Sequence, residues 1–409
     1  NNTGVGYNAL AVNTGGSYNV AVGGGALDAN TTASYNSAFG YGTLTANTTG
    51  ASNTAVGINA LGGNTTASNN TAVGASALLA NTTGAQNTAV GKGAMQANTT
   101  GHSNVAVGQA ALDANDEGFN NTAVGEDALG ANTTADYNTA IGRLALATVT
   151  TQGQLTALGA SALTANTTGA YGTAVGYHAL AANTTGNSNT AVGYVALTVN
   201  TTGTLNASLG AYSLTANTTG IRNTAIGYES MSANTTGSHN TAVGTYALAT
   251  PTTGNESTAV GYYACKSATT GMRNVGVGVS ALTNATTASS NTAVGGFAGK
   301  ALTTGGDNVA VGYDALITQT TISGNVAIGR EALKVNTTGN KNVAVGYYAG
   351  KTLTSGPNNT AIGYEALRDC ETNGECTAVG AECLMNNTSA NNTAVGWYAG
   401  RSNTTGNHN

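Results

Sequence analysis

Residues 53–69 read Asn53-Thr-Ala-Val-Gly57-Ile-Asn-Ala-Leu61-Gly-Gly-Asn64-Thr-Thr-Ala-Ser-Asn69, and this stretch of seventeen residues recurs along the whole chain. Numbered from its first Asn, the repeat has the consensus N-T-A-V-G-Y-x-A-L-x-A-N-T-T-G-x-x over twenty-four copies, the last of which arrives one residue early. A fixed period of this length is typical of solenoids, in which each copy contacts mainly its neighbours. We therefore expect one continuous repeat domain over residues 1–409, with function in a repeated surface.

Composition excludes several classes of protein. Only 7% of the residues are charged, and twelve basic and seventeen acidic side chains give a net charge of −5 without a basic stripe, so nucleic acid is not the expected partner. No run of eighteen apolar residues occurs, so we expect no membrane insertion by this segment. The chain starts at Asn1 without Met and is interpreted as part of a longer fibre, whose caps and anchor lie outside it.

Position 5 of the repeat is Gly in every copy, and position 3 is nearly always Ala. Side chains alternate across a strand, so positions 2 and 4 share one face and positions 3 and 5 share the other. The β-branched face is predicted to be buried, and the Ala/Gly face is predicted to be the line along which neighbouring chains approach. The structural glycines selected on this basis are Gly23, Gly57, Gly91, Gly125, Gly193, Gly227, Gly261, Gly312 and Gly346.

The rest of the repeat predicts a second strand and a turn. Ala and Leu dominate positions 8 and 9, and positions 12–15 are typically Asn-Thr-Thr-Gly, which is turn chemistry ending in a Gly suited to positive φ. Where Gly299 and Gly350 replace the Leu of position 9, Leu302 and Leu353 replace the Asn of position 12. Positions 9 and 12 should therefore reach the same interior.

These patterns favour an all-β parallel β-solenoid of about twenty-four coils, with two short strands per coil. At a strand spacing of about 4.8 Å, the stack would extend roughly 115 Å. Each coil offers only about two large apolar side chains against the conformational entropy of seventeen residues, so burial between chains is expected. We predict a parallel homotrimer, and a monomeric solenoid with a tight Ala-filled core is the alternative.

The segments Asn223-Thr-Ala-Ile-Gly-Tyr228 and Asn342-Val-Ala-Val-Gly-Tyr347 resemble the head repeats of trimeric autotransporter adhesins of the YadA type. The longer string Asn189-Thr-Ala-Val-Gly-Tyr-Val-Ala-Leu-Thr-Val-Asn-Thr-Thr-Gly203 looks even more like repeats of phage tail-fibre proteins. This resemblance covers essentially the whole chain. It implies an interleaved trimeric left-handed β-roll, displayed outside the cell or on a virion and acting in attachment. The present repeat is longer than the usual adhesin head repeat, and the segment shows no neck, stalk, anchor or chaperone domain.

No catalytic, metal or cofactor site is expected. A catalytic base needs a nucleophile and an orienting partner beside it, and the histidines occupy positions that vary between copies. Calcium-binding repeats carry an Asp in every coil, and zinc sites need closely spaced ligands, neither of which is seen here. The four histidines are His102, His178, His239 and His408.

The four cysteines favour structural roles. Cys265 replaces the Leu of position 9 and is interpreted as a small buried hydrophobe. Cys370, Cys376 and Cys383 lie at positions 12, 1 and 8 of adjacent coils. A Cys370–Cys376 disulfide across one turn is a candidate in an oxidising compartment, free thiols are the alternative, and spacing does not fix the pairing.

Asn fills position 1 in twenty copies and position 12 in sixteen. Stacked Asn side chains can form hydrogen-bonded ladders along a β-stack, which is the preferred interpretation. The competing interpretation is N-glycosylation, since Asn-Thr-Thr is an acceptor sequence, as at Asn47, Asn81 and Asn217. The residues expected to form such a ladder include Asn53, Asn87, Asn121, Asn189 and Asn223.

Nine of the eighteen tyrosines occupy position 6. Aromatic rings with polar tips suit contacts with proteins or glycans, although rings at a strand end can instead cover the corner and stack between coils. The candidate contact residues are Tyr177, Tyr194, Tyr228, Tyr262, Tyr313 and Trp397.

The sequence thus predicts a non-enzymatic extracellular fibre, at a cell surface or on a virion, that mediates attachment to a host-cell or environmental surface, with glycans among the candidate ligands. One alternative is a phage tail-fibre shaft whose receptor-binding tip lies outside this segment. Another is an ice-binding solenoid, for which the adjacent threonines of positions 13 and 14 would have to form a flat array of two ranks.

Overall fold

The computed structural model describes residues 1–408, and no helix occurs in that range. The chain divides into two compact units, of which the first is Asn1–Leu205 and the second begins at Asn206. Each unit contains twelve three-residue strands, one from each copy of the repeat, formed by positions 2–4. The predicted all-β parallel solenoid is therefore confirmed within each unit.

The strands recur every seventeen residues. In the first unit they are β1 Thr3–Val5, β2 Val20–Val22, β3 Ser37–Phe39, β4 Thr54–Val56, β5 Thr71–Val73, β6 Thr88–Val90, β7 Val105–Val107, β8 Thr122–Val124, β9 Thr139–Ile141, β10 Thr156–Leu158, β11 Thr173–Val175 and β12 Thr190–Val192. In the second they are β13 Ala207–Leu209, β14 Thr224–Ile226, β15 Thr241–Val243, β16 Thr258–Val260, β17 Val275–Val277, β18 Thr292–Val294, β19 Val309–Val311, β20 Val326–Ile328, β21 Val343–Val345, β22 Thr360–Ile362, β23 Thr377–Val379 and β24 Thr393–Val395.

Neighbouring strands of a unit pair in parallel and without register shift, so that like positions of the repeat face each other. Ala55 of β4 is opposite Ala72 of β5. The register survives in the coil that has sixteen residues, where Thr377 of β23 is opposite Thr393 of β24. The turn at 388–391 is one residue shorter than the same turn of the other coils, and the strands do not shift.

The structure corrects the prediction of two strands per coil, since positions 6–11 form turns. The chain curls in that turn because positions 7 and 9 adopt left-handed φ, as at Asn59 (+56°) and Leu61 (+52°), and position 17 does the same at the end of the coil, as at Asn69 (+63°). This conformation costs an L-residue about 1–2 kcal/mol. Backbone bonds between coils hold it in place: the N–H of Leu61 donates to the carbonyl of Ala77 (3.0 Å), and that of Asn69 donates to Ala51 (3.0 Å).

The predicted assignment of the two strand faces is wrong. Ala55 at position 3 is fully buried, whereas Val56 at position 4 is 38% exposed. Position 3 faces the turn of its own coil: a Cβ on Gly4 would lie 3.3 Å from the carbonyl oxygen of Ala9 and 3.8 Å from Cδ1 of Leu10. The interior between strand and turn is so thin that position 3 holds only Ala, Gly or Ser, and the β-branched side chains face outward.

Positions 9 and 12 do share one interior, as predicted. Leu61 and Asn64 are both fully buried. A Cβ on Gly299 would lie 3.0 Å from Cδ1 of Leu302, so the Leu of position 12 fills the space that the Gly of position 9 leaves.

Gly at position 5 is required by the next coil of the same chain, which corrects the prediction of an interchain approach at this face. These glycines adopt φ between +125° and +142°, and a Cβ on Gly57 would lie 2.7 Å from the carbonyl oxygen of Gly74. The Gly of position 15, predicted to adopt positive φ, does not; Gly118 is an example, and its Cβ would lie 2.5 Å from the carbonyl oxygen of Ala135.

Candidate binding surfaces

The outer face of the sheet carries a row of aliphatic side chains in each unit, which we call the sheet-face row. It consists of position 4, and Val56, Ile141, Ile226 and Ile328 in it are each 37–38% exposed. Thr or Val at position 2 lies beside it on the same face and is mostly partly exposed. A continuous apolar surface of this kind, repeated in every coil, is typical of a protein interface.

Asn at position 1 forms a ladder between side chain and backbone. The N–H of Asn53 donates to Oδ1 of Asn36 (2.9 Å), and Nδ2 of Asn53 donates to the carbonyl of Ala67 (2.9 Å). Each side chain therefore joins its own coil to the next one without contact with solvent, since Oδ1 of Asn53 in turn accepts from the N–H of Asn70 (2.9 Å). The selected residues Asn53, Asn87, Asn121, Asn189 and Asn223 are all buried in this way.

Asn at position 12 forms a second ladder, between side chains. Nδ2 of Asn81 donates to Oδ1 of Asn64 (2.9 Å) and to the carbonyl of Gly84 (2.9 Å), while Oδ1 of Asn81 accepts from Nδ2 of Asn98 (2.8 Å). The ladder stops where Val149 occupies position 12, and Oδ1 of Asn132 before it has no partner. Sequence repetition indicated ladders, but only the structure distinguishes the two kinds.

This ladder bears on the glycosylation alternative. Nδ2 is the atom to which a glycan would be attached, and Asn47, Asn81 and Asn217 are fully buried with that nitrogen donating hydrogen bonds. A glycan on any of them is incompatible with this fold. The Asn-Thr-Thr sequences are therefore explained by hydrogen bonding inside the stack.

Asn81→Ala is expected to lower the free energy of unfolding by about 2–3 kcal/mol, because Oδ1 of Asn64 and the carbonyl of Gly84 lose a buried donor. Urea denaturation followed by far-UV circular dichroism measures the loss. Thr83→Ala, at an exposed position of the same coil, is the control and should change the stability by less than about 0.5 kcal/mol. Equal effects of the two substitutions would contradict a stabilising ladder.

The candidate aromatic residues lie on the turn that follows the strand. Tyr177, Tyr194, Tyr228, Tyr262, Tyr313 and Trp397 are 42–76% exposed. Several rings stack between coils, such as Tyr177 on Tyr194, with centroids 5.6 Å apart. These rings are thus both packed along the stack and open to solvent on one side.

Four rings in the second unit form a chain of contacts over four successive coils, which we call the tyrosine row. Ring centroids are 5.9 Å apart for Tyr212 and Tyr228, 5.6 Å for Tyr228 and Tyr246, and 5.3 Å for Tyr246 and Tyr263. The ammonium of Lys266 lies 4.3 Å from the centroid of Tyr263. A hydrogen bond to Glu229 raises the pKa of Tyr228 to about 12, so its hydroxyl stays protonated. The sequence selects Tyr228, at position 6, but not its three partners, which all lie at position 7.

Several charges of the second unit are paired with each other. Glu331 accepts from Lys334 (3.1 Å) and Lys351 (3.0 Å). Burial acts to raise the pKa of Glu331, but the hydrogen bonds from Lys351 and Lys334 outweigh it and hold the pKa below its usual range. This carboxylate is therefore an ion-paired structural group.

All four cysteines are buried free thiols, so the candidate disulfide between Cys370 and Cys376 is not formed in this structure, and the alternative of free thiols holds. These two residues replace the Asn of both ladders in one turn, and Sγ of Cys376 accepts from Nδ2 of Asn387 (3.3 Å). Burial raises the pKa of Cys370 to about 11 and that of Cys265 to about 12. Protonated, buried thiols are poor nucleophiles.

Three of the histidines contact neighbouring surface side chains: His102 stacks on Phe119 with centroids 5.0 Å apart, His178 lies against Tyr177, and His239 contacts Arg222. Residues 1–408 contain no group of three or more His, Cys, Asp or Glu side chains placed to hold a metal ion. The same residues include no helix that is long and apolar enough to cross a bilayer.

The chain is by its fold a repeat protein of the parallel β-solenoid class. Comparison with protein families and with curated proteins finds no match. Function is therefore argued from the surfaces of the stack.

Proposed function

We propose that this chain is a non-enzymatic, structural and adhesive part of an extracellular fibre, carried on a cell surface or a virion and assembled as a homotrimer. The observation that supports the proposal most strongly is the sheet-face row. It presents Val, Ile, Leu or Phe outward in every coil, at the same spacing as the strands. A partner that covers the whole row must repeat with the same period.

A second copy of this chain has that period. In a cyclic assembly of parallel chains, each copy offers the same aliphatic row to its neighbours, and closure leaves no row exposed. Full burial of a Val or Ile side chain is worth roughly 1.5–3 kcal/mol, and even a fraction of that in each of twelve coils per unit gives a stable interface. The resemblance to trimeric adhesin heads and tail fibres favours three chains and a left-handed, interleaved arrangement.

Replacing Val73 and Val90 by Lys is expected to destabilise the trimer, because the cations of three chains would meet in an apolar interface. Sedimentation should give three times the chain mass for the wild type, and the variant should dissociate at a thermal midpoint lower by several degrees. Thr83→Lys with Thr100→Lys places the same charges at exposed positions of the same two coils and should behave as wild type. A wild-type mass of one chain would contradict the assembly.

The location and adhesive role need a separate test. Antibodies against the chain should label intact source cells or virions, and labelling only after permeabilisation would contradict an extracellular fibre. Beads coated with the chain should adhere to cultured epithelial cells or to bacterial cells more than albumin-coated beads do. No excess on either would leave a shaft role and remove the adhesive one. The chain resembles both bacterial adhesins and phage tail fibres, and the source of the labelled particles distinguishes them.

The ice-binding alternative is less well supported. The hydroxyl of Thr65 at position 13 donates to the carbonyl of Thr82 (3.1 Å) and is partly buried, whereas Thr66 at position 14 is exposed. A single rank of threonine lacks the flat two-rank surface that this function needs. Thermal hysteresis in a solution of the chain would revive the alternative.

A further inference from the structure

We propose that the tyrosine row of the second unit binds an extended β-1,4-linked glycan that runs parallel to the stack. This inference deepens the adhesive role proposed above and rests on it, since it names the ligand class of one surface. The row supplies one ring per coil over four coils, from Tyr212 to Tyr263. The coil spacing of about 4.8 Å is close to the length that one sugar adds to an extended glycan.

The row of rings follows the stack over four coils and therefore favours an extended linkage. Tyr228 stands edge-on to both neighbours, with interplanar angles of 83° to Tyr212 and 85° to Tyr246. The rings of Tyr246 and Tyr263 are tilted at 41° to each other, so the row presents both ring faces and ring edges to a ligand. Successive sugars in a β-1,4-linked chain are related by a half turn, which keeps the chain extended and straight, so that one sugar can lie beside each ring of the row. An α-1,4-linked chain curls and does not stay in step with a straight row of rings.

Polar groups for the sugar hydroxyls lie along the same row. Tyr212 and Tyr228 are 38% and 42% exposed, and each phenol hydroxyl can donate and accept. The ammonium of Lys266 lies over the rings of Tyr246 (5.7 Å) and Tyr263 (4.3 Å), and Glu229 lies against Tyr228. An aromatic surface flanked by both donors and acceptors suits a neutral, hydroxyl-rich ligand.

The full chain should bind cellohexaose and chitohexaose in saturation-transfer NMR and calorimetry, and maltohexaose, which is α-1,4-linked, at least about tenfold more weakly. Tyr228→Ala with Tyr246→Ala should weaken binding of the β-1,4 hexasaccharides at least about tenfold. Tyr228→Phe with Tyr246→Phe keeps the rings and should retain most of the affinity. Tyr18→Ala with Tyr35→Ala removes a stacked pair of the first unit, with centroids 5.2 Å apart, and should leave binding unchanged.

Three results would overturn the inference: no binding of either β-1,4 hexasaccharide, equal binding of maltohexaose, or unchanged binding by the Ala variant with circular dichroism as in the wild type. The bead-adhesion assay distinguishes failure of the glycan inference from failure of the adhesive function proposed above. Adhesion that persists without oligosaccharide binding points to a protein receptor and leaves the adhesive function intact. If beads coated with the wild-type chain do not adhere, the adhesive function itself is contradicted.

Discussion

Gly125→Ala is expected to lower the free energy of unfolding by about 4 kcal/mol or more, although it adds a single methyl group. The added Cβ would lie 2.6 Å from the carbonyl oxygen and carbon of Gly142, which belong to the backbone of the next coil and cannot rotate away. The backbone of Gly125 also has φ of +129°, a region that costs a residue with a side chain about 1–3 kcal/mol. Relief of the contact requires the two coils to separate and their ladders to lengthen.

Urea denaturation measures the total effect, and hydrogen exchange locates it in β8 and β9. Gly172→Ala is the matched control in the same unit: its Cβ would make an ordinary contact of 3.4 Å with Cδ2 of Leu155, and its φ is not positive. We expect the control to change the stability by less than about 1 kcal/mol. If Gly125→Ala were as mild as Gly172→Ala, the coils would not be held at the spacing described above.

The second large effect is a coupling between Gly299 and Leu302. Leu302→Asn restores the consensus residue of position 12 but leaves a cavity above Gly299, at a cost of about 2–4 kcal/mol. Gly299→Leu alone crowds Leu302 and Leu282, since its Cβ would already lie 3.0 Å from a methyl group of each. Left-handed φ is no obstacle to the new Leu, because Leu282 and Leu316 adopt +51° and +52° at the same position of the repeat.

The double variant has the consensus residue at both positions, and its free energy of unfolding should be within about 1 kcal/mol of that of the wild type. The coupling free energy between the two positions is therefore expected to be at least about 2 kcal/mol. Thermal and urea denaturation of the four proteins of the cycle measure it. Gly299→Leu combined with Leu353→Asn provides the control, because the two sites lie in different coils and their effects should add. Additive effects within the Gly299–Leu302 coil would show that the two side chains do not share one space.

The sequence predicted the stack and the strand position because Thr-Ala-Val-Gly recurs at a fixed interval. It also predicted that positions 9 and 12 meet, because Leu302 occupies position 12 in the coil in which Gly299 replaces the Leu of position 9. The prediction of which strand face is buried was wrong, because the β-branched face of the strand was assumed to pack against a hydrophobic core. In this fold the turn of the same coil leaves room beside Ala55 for a small side chain only, and Val56 faces outward.

The left-handed residues could not be predicted from residue type. Gly and Asn are the usual residues at such φ, yet Leu44 and Met95 adopt +51° and +52° at position 9. Burial of a large side chain and a backbone hydrogen bond to the next coil outweigh the local preference. Similarly, the tyrosine row crosses between positions 6 and 7, so no single column of the aligned repeats contains it.

The coil of sixteen residues has a consequence for how such a chain can vary. Its strands stay in register although one residue is missing from the turn at 388–391. Ladder contacts continue past the deletion, since Nδ2 of Asn403 donates to Oδ1 of Asn387 (3.1 Å). This corner of the coil therefore tolerates changes in length. We expect short foreign peptides inserted at the corresponding turn of a central coil to be displayed without loss of the stack, which makes the chain a scaffold for regularly spaced epitopes.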